Sequence, residues 1–526
     1  MGCRGRGPRP SRGRLSWAPF VRAEARRVPG AGGPLRGWPL LDFGPPPPPP
    51  QLCSSSWEVT DRKKNSLVWK MTLLSIKPIA WGYSMITLGT EMLNSVFSFY
   101  YVKLFLHLYK ISEVAFYQAQ MILMIWNALN DLTGYFHNNS QADCCSSRRS
   151  SVLYGAPLYS IAFLLPWFPW KYYQEGDWLS GLHLVVSLCA FDSTLTFVQQ
   201  AQCTLFAEIF TRHESRLQLI KINQMASLVG STSILFCGLI SDNMEILLNF
   251  QAVAVVIAIL ASASLYTGMY HMNRFEPKRS LEENLFSESE QDLPWTSVVS
   301  LMRQVLTQKN FCLFLVMNFF QVFHLTFFNN FMMIFADSLI PKDVLSSSIR
   351  SIMYGAGFIC PQCLVLISQS WLKKFGYYKI ILISFYLEGT ASIVMLLLGQ
   401  QYYYFLALYL TIIMVIVQAS FCLFNLPLAD MVDADLLKFN RQSPLSSMVF
   451  GINALFTKPA QSLAPMMILS KLKQYGYGNP DKSTILDLHD AMFNLICLVP
   501  LGIVLIQILV WSPFSIRNKT DYTGAL

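Results

Sequence analysis

Residues 246–270 read ILLNFQAVAVVIAILASASLYTGMY, with no charged side chain, and residues 271–294 that follow read HMNRFEPKRSLEENLFSESEQDLP, where charge is dense. The first stretch is long enough to cross the roughly 30 Å of a bilayer's hydrocarbon as a helix, whereas the second cannot leave water. The same alternation runs through the whole chain. Twelve apolar stretches fall near 79–105, 113–136, 152–170, 179–207, 218–241, 246–270, 311–335, 345–369, 378–398, 403–426, 447–469 and 489–512. The longest polar interruption, His271–Asn310, has six of them before it and six after. Backbone that does not satisfy its own hydrogen bonds cannot face lipid, and the alternating pattern of barrel strands is missing, so each stretch is expected to be a helix. The predicted fold is an all-α membrane protein with twelve transmembrane helices in two six-helix bundles.

Composition agrees, with 53% hydrophobic and 13% charged residues, far from the soluble average. The formal charge of +9 is local. Residues 1–70 hold 13 Lys and Arg against 4 Asp and Glu, and the remainder is balanced at 27 of each, so the body of the protein lacks the basic footprint of a nucleic-acid binder. The opening segment places Arg4, Arg6, Arg9, Arg12 and Arg14 among Gly and Pro and carries an unbroken Pro45–Pro50 run. It cannot bury enough apolar surface to fold, and its Pro and Gly would break the amphipathic helix of a transit peptide. The expected divisions are a disordered Arg/Pro-rich extension at 1–70, an N-terminal bundle at 71–270, a central loop at 271–310, a C-terminal bundle at 311–512 and a tail at 513–526.

Arg148, Arg149, Arg212, Arg216, Arg274, Lys278, Arg279, Lys373, Lys374, Lys438 and Arg441 all lie in alternate loops. The positive-inside rule makes those loops, the central loop and both termini cytoplasmic. The twelve cysteines are scattered and imply no disulfide framework. Cys360 and Cys363 have redox spacing inside a span, where helix packing is the better reading, and Cys144 and Cys145 stand where palmitoylation is one option. No G-x-S-x-G, H-E-x-x-H or P-loop is present, so no enzyme and no cofactor is expected. The expected partners are a small-molecule solute and the lipid bilayer, with the chain a monomer.

What remains is the charge inside the bilayer, which costs several kcal/mol per group unless it faces the bundle interior or water. Glu91 lies in the first span, Asp131 in the second, Asp192 in the fourth and Lys458 in the eleventh. In IWNALNDLTGYF, Ile125–Phe136, Asn127 and Asp131 are four apart. They therefore share a helix face, and their oxygens suit a small hard cation or a proton. The alternative is an interhelical salt bridge. Gln321 and His324 lie mid-membrane in the seventh span, where His324 is read as a solute contact or proton carrier, an interhelical hydrogen bond being an equally good reading.

NALNDLTG resembles the second-helix D-x-x-x-D-P-x-x-G pattern of the glycoside and cation symporter branch of the major facilitator superfamily, typified by melibiose permease. Asn127 stands for the first acid, Asp131 for the second and Leu132 for the proline, and Gly134 is kept. ADMVDADLLKFNRQSPLSSMVFGINALFTKPAQ, Ala429–Gln461, resembles that branch's A-D-x-x-D, N-x-R and eleventh-helix lysine through Asp430, Asp433, Arg441 and Lys458. Asp192 resembles its sugar-contacting fourth-helix acid, and FTRHESRLQL the charged loop after that helix. WNALND, QVFH and TKPAQ resemble the transmembrane protein 180 group, also called major facilitator domain-containing 13, over about residues 79–512. The departures are the amide at Asn127 and Glu91, which lies about a turn from where the branch carries its first-helix acid.

The resemblance implies a secondary transporter of the major facilitator fold. Its solute would be small, organic and carbohydrate-like, its coupling ion a proton or sodium, and its mechanism alternating access. Asn127 and Asp131 are the expected cation site. Asp192 and Lys458, with Gln321 and His324, are the expected solute contacts. Asp430, Asp433, Lys438 and Arg441 form an expected cytoplasmic gate, a solvated loop with incidental charges being the plainer reading, since exposed ion pairs contribute only about 0–1 kcal/mol. The other function class is a transport-inactive scaffold that binds partners. Charges at the midplane favour transport, because a scaffold gains nothing from their desolvation.

Asn138-Asn139-Ser140 is a glycosylation acceptor by pattern but lies in a loop expected to be cytoplasmic. It should remain unmodified. A glycosidase-sensitive mass that disappears in Asn138→Gln would reverse the orientation.

Overall fold

A computed structural model of the chain describes residues 57–140, 145–209, 213–275, 295–439, 445–478 and 485–515. The chain divides into two units, Met1–Asn65 and Ser66–Leu526, and the helical body belongs to the second. Most of the N-terminal extension, Cys144, residues 276–294 of the central loop, Arg441 and the tail from residue 516 lie outside the described residues.

Among the described residues, helices account for all the regular structure. The first half holds α1 (Trp57–Lys103), α2 (Glu113–Ser140), α3 (Cys145–Leu164), α4 (Trp178–Ile209), α5 (His213–Ser241) and α6 (Leu247–Phe275). The second holds α7 (Trp295–Leu306), α8 (Lys309–Leu339), α9 (Ser347–Leu398), α10 (Tyr403–Leu423), α11 (Asn425–Lys438), α12 (Ser446–Gln474) and α13 (Ile485–Trp511). A helix stands on each of the twelve expected stretches, and among the described residues eight helices are long and apolar enough to cross a membrane. α12 falls short because Asn453, Thr457, Lys458 and Gln461 put a polar stripe along one side of it.

Two local features refine the expected boundaries. α9 runs through two expected spans and turns at Gly376, whose φ of 74° belongs to the left-handed region that a side chain resists. The central loop is not wholly irregular. Val298, Leu301, Met302 and Val305 recur at helical spacing, so α7 forms and packs Leu301, Met302, Val305 and Leu306 onto the apolar core of the second half.

Within the first half α4 packs on α2 and α3, and α6 on α3 and α5; within the second, α8 packs on α10, α12 and α13, and α9 on α10 and α13. The halves meet where α2 lies against α12 and α5 against α9. Lipid supplies no hydrophobic drive between helices, so close packing and hydrogen bonds must hold them. α1 and α6 show how: a Cβ on Gly268 would come within 2.6 Å of the Gly82 carbonyl oxygen, and one on Gly89 within 2.8 Å of the Ala261 oxygen. Between these small pairs Ser264 Oγ donates to the Met85 oxygen at 2.7 Å.

Gly268→Val should therefore force the two backbones apart and cost about 1–3 kcal/mol. Thermal unfolding in detergent is the measurement, with Gly502→Ala, whose added Cβ meets nothing within 4 Å, as a neutral control. Equal midpoints for the two variants would show that the α1–α6 contact is not tight.

Candidate functional site

α2 presents Trp126, Asn127 and Asn130 to α4. Asn130 Nδ2 donates to Asp192 Oδ2 at 2.8 Å. Asn127, with its amide oriented so that both ends are satisfied, donates to Asp192 Oδ2 at 2.6 Å and Oδ1 at 3.0 Å. Beside them Trp126 Nε1 donates to Ser193 Oγ at 2.7 Å. One carboxylate thus receives three N–H contacts from one helix, and such bonds to an ionised acceptor are about twice as strong as neutral ones. Lys458 arrives from α12 in the other half. Its Nζ lies 3.5 Å from Thr196 Oγ1, one turn along α4 from Asp192, and its charge acts on that carboxylate.

Asn127 is buried and turned to Asp192, and Asn130 on the same helix reaches the same carboxylate. The Asp131 side chain lies outside the described residues. Of the expected solute contacts, Asp192 lies on α4 and feels the charge of Lys458 on α12. Glu91 sits apart from them, hydrogen-bonded with Ser231 of α5.

A cavity of about 160 Å³ opens beside Lys458, lined by Asn318 and Val322 of α8, by Phe421 and Asn425 near the α10–α11 junction, and by Asn453, Thr457 and Gln461 of α12. Gln321 and His324, the other two expected solute contacts, are not among the residues that line it. On α8, Asn318 and Val322 share the cavity face; Gln321 and His324 follow Asn318 at three-residue steps, each turning roughly 60° back around the helix, so that His324 ends well off that face. Gln321 donates to the Val417 oxygen at 3.0 Å and accepts from Gln507 Nε2 at 2.7 Å. His324 faces Glu388 of α9, Nδ1 to Oε2 3.7 Å, with both side chains fully buried.

At the end of the bundle where α1 finishes, the halves are tied by charge. Asp337 of α8 accepts from Lys103 of α1 at 2.8 Å, from Arg350 of α9 at 3.0 Å and from the Tyr354 hydroxyl at 3.2 Å. Lys103 also donates to the Asn243 oxygen at 3.0 Å. Asn243 reaches across to Ser347 Oγ at 2.9 Å and accepts from Ser351 Oγ at 2.9 Å. It can do so because Asp242, Asn243 and Met244 are all left-handed, with φ of 52°, 55° and 73°. Such backbone is strained for residues with side chains. Lys342 and Glu245 pair at the exposed rim, and the hydrogen bond holds the lysine pKa above its ordinary value. Beneath this layer Phe99 packs on Tyr354 and Phe358, with ring centroids 5.5 and 5.3 Å away.

Of the expected cytoplasmic gate, Asp430 is half-buried, Asp433 and Lys438 are exposed, Lys438 Nζ lies 5.2 Å from the Phe439 ring centre, and Arg441 is outside the described residues. In the same segment Asp435 is buried and accepts from Gln308 Nε2 at 2.6 Å.

Sequence reading missed Glu388, although it is a carboxylate within the 378–398 stretch and carries the same signal as Asp192. It missed Lys103, Asp337 and Arg350 for a different reason. They lie at span ends, where charge is ordinary, and only the fold brings them together.

Two sets of packed helices that meet where α2 lies against α12 and α5 against α9 form the architecture of a multi-pass membrane transporter of the major facilitator type. The chain belongs to the MFS/sugar transport protein family, matching it over residues 82–518. Transmembrane protein 180 of Gallus gallus is 30% identical over 484 residues, covering 84% of this chain and 93% of that one. Transmembrane protein 180 of Mus musculus is 26% identical over 503 residues, covering 86% and 95%. Among solved structures, the nucleoside transporter NupG has a TM-score of 0.52 at 12% identity over 83% of this chain and 98% of that one. A bacterial homologue of the iron transporter ferroportin in its outward-facing state has a TM-score of 0.53 at 15% identity over 84% and 100%. At these identities the fold is what is shared. Family and fold are those of a secondary transporter rather than an enzyme.

If Asn243 and Ser347 meet across the halves, cysteines placed at both positions in a chain freed of native cysteines should crosslink under mild oxidation and separate under reductant. Thiols that stay free in every condition would show that this end is not closed.

Proposed function

We propose that the chain moves a small, hydroxyl-bearing, carbohydrate-like solute by alternating access, coupled to a proton in preference to sodium, with Asp192 and Lys458 as its charged contacts. The observation that carries this reading is that the two opposite charges come to one place from different bundles. A solute that donates a hydroxyl to the carboxylate and accepts from the ammonium would stand between them. Its binding would then bear directly on how the bundles sit, which is the differential contact that a shift between two states requires.

The preference for a proton rests on α2. Where the symporter branch carries two acids, this chain has Asn127, whose amide is spent on Asp192. Asp131 is left as the one carboxylate of the pattern, too little charge to draw sodium strongly. It would bind a proton or pair with Lys458. With the basic loops cytoplasmic, the Asp337 cluster is the outer gate and this state opens inward. Asp430, Asp433, Lys438 and Arg441 are then the counterpart at the inner end.

Uptake of sugars and polyols into vesicles holding the purified chain is the test. One class should accumulate, and Asp192→Asn and Lys458→Gln should each lower uptake at least about tenfold, roughly 1.4 kcal/mol. Uptake should follow a pH gradient more than a sodium gradient, and Asp131→Asn should remove that response while leaving exchange. Uptake that survives both charge substitutions, or that requires sodium, would overturn the assignment.

A further inference from the structure

Eleven buried side-chain polar atoms have no hydrogen-bond partner among the described residues, and six of them lie in one strip of the C-terminal bundle. They are Asn318 Oδ1, Gln507 Oε1, both ring nitrogens of His324 and both carboxylate oxygens of Glu388. Leaving a polar atom so costs about 1–3 kcal/mol, more for a charged group. Nothing in the packing of α8 against α9 and α13 demands these residues, since leucines there would cost nothing. A strip of this kind marks a place where water or protons are handled.

The strip is continuous and begins at the cavity. Asn318 lines the cavity and donates to Asn453 Oδ1 at 2.9 Å. About one turn along α8, Gln321 accepts from Gln507 Nε2 at 2.7 Å. About one turn further, His324 lies 3.7 Å from Glu388, its ring 5.2 Å from that of Phe328. At about 1.5 Å of rise per residue, each step along α8 is roughly 4.5 Å, a gap that single water molecules span between side chains.

We propose that His324 and Glu388 form a proton-binding site inside the C-terminal bundle, exchanging with cavity water through Asn318, Gln321 and Gln507. With one proton the pair is neutral, as carboxylic acid and imidazole. Without it a lone carboxylate remains in hydrocarbon; with a second, a lone imidazolium. Both are costly, so the site holds one. The proton comes from a hydronium ion in the cavity and returns to water, with only N–H and O–H bonds made and broken. A shift of about 1 Å brings the pair to hydrogen-bond distance.

Few other groups compete. Tyr409 faces the pair from α10, its hydroxyl within 3.1 Å of Ser392 Oγ and donating to the Ile496 oxygen at 3.0 Å, with Cys497 of α13 beside it. α12 contributes the uncharged Asn453 to the strip. Among the described residues no charged side chain other than the pair's own faces His324 or Glu388. The site goes beyond the solute-transport reading and stands without it, because proton binding is measured with no solute present.

Infrared difference spectra of the full chain in lipid vesicles, recorded as pH is stepped in H2O and in D2O, test the site. The unaltered chain should show the carbonyl band of a protonated carboxylic acid that shifts on transfer to D2O. The band should be missing in Glu388→Gln, retained in Asp131→Asn, and titrate at least about one pH unit away in His324→Gln. Gln321→Leu should slow the deuterium shift at least tenfold. Size-exclusion profiles and the amide band confirm that each variant is folded, and the deuterium shift is read on the unaltered chain in any case. A band that survives Glu388→Gln would remove the site. A band that never shifts in D2O would make the pair a sealed clamp between helices, and wild-type exchange in Gln321→Leu would remove the relay. Loss of the band in Asp131→Asn alone would move the proton to α2 and leave the solute reading standing.

Discussion

A charge in hydrocarbon has to be answered by another helix, and Asp192 is answered from two directions. On its own side the Asn127 and Asn130 amides close on it at 2.6 to 3.0 Å. From across the divide Lys458 brings its ammonium to the neighbouring turn, 3.5 Å from Thr196 Oγ1, and its charge acts on Asp192. Hydrogen bonds to a charged group contribute about 1.5–3 kcal/mol each. The amide clamp lies within one bundle and the lysine comes from the other, so the charged site is shared by both.

At the end where α1 finishes, contacts are likewise divided between those within a half and those across. Arg350 is fixed within its own half, donating to the Leu345, Ala336 and Ile340 carbonyls at 3.2, 3.1 and 2.5 Å. Lys103 and Asn243, by contrast, cross from the other half, and Asn243 does so from a left-handed loop that costs of order 1–3 kcal/mol per strained residue. Hydrogen bonds from Asn243 into α9 offset that strain only while the end is shut. Closure here is a balance of modest terms, as a surface that must reopen requires.

Much of the fold was legible because hydrocarbon thickness imposes a length that apolar runs either meet or fail. Gly376 and the α7 periodicity were legible too, but a count of spans does not need them. The site was legible by halves. Asp192 and Lys458 stand out because a charge within a span is costly wherever it sits. Asn130 does not, since an amide is cheap and its partner lies 62 positions away in sequence. Gln321 and His324 show the opposite limit: polarity in a span places a residue in the bundle interior, yet only the rotation of α8 decides whether that interior is cavity or core. Asp337 marks a third limit, because charge at a helix end carries no signal until three helices converge on it.

Lys458 and Asp192 carry opposite unit charges on separate bundles at neighbouring levels of the membrane. A membrane potential does about 2.3 kcal/mol of work on one elementary charge moved through 100 mV. Acting on this pair it pulls one member as it pushes the other, so the two contributions largely cancel when the bundles rock together. The pair thus adds little voltage sensitivity of its own, and whatever electrical asymmetry the transport cycle has must come from other charges.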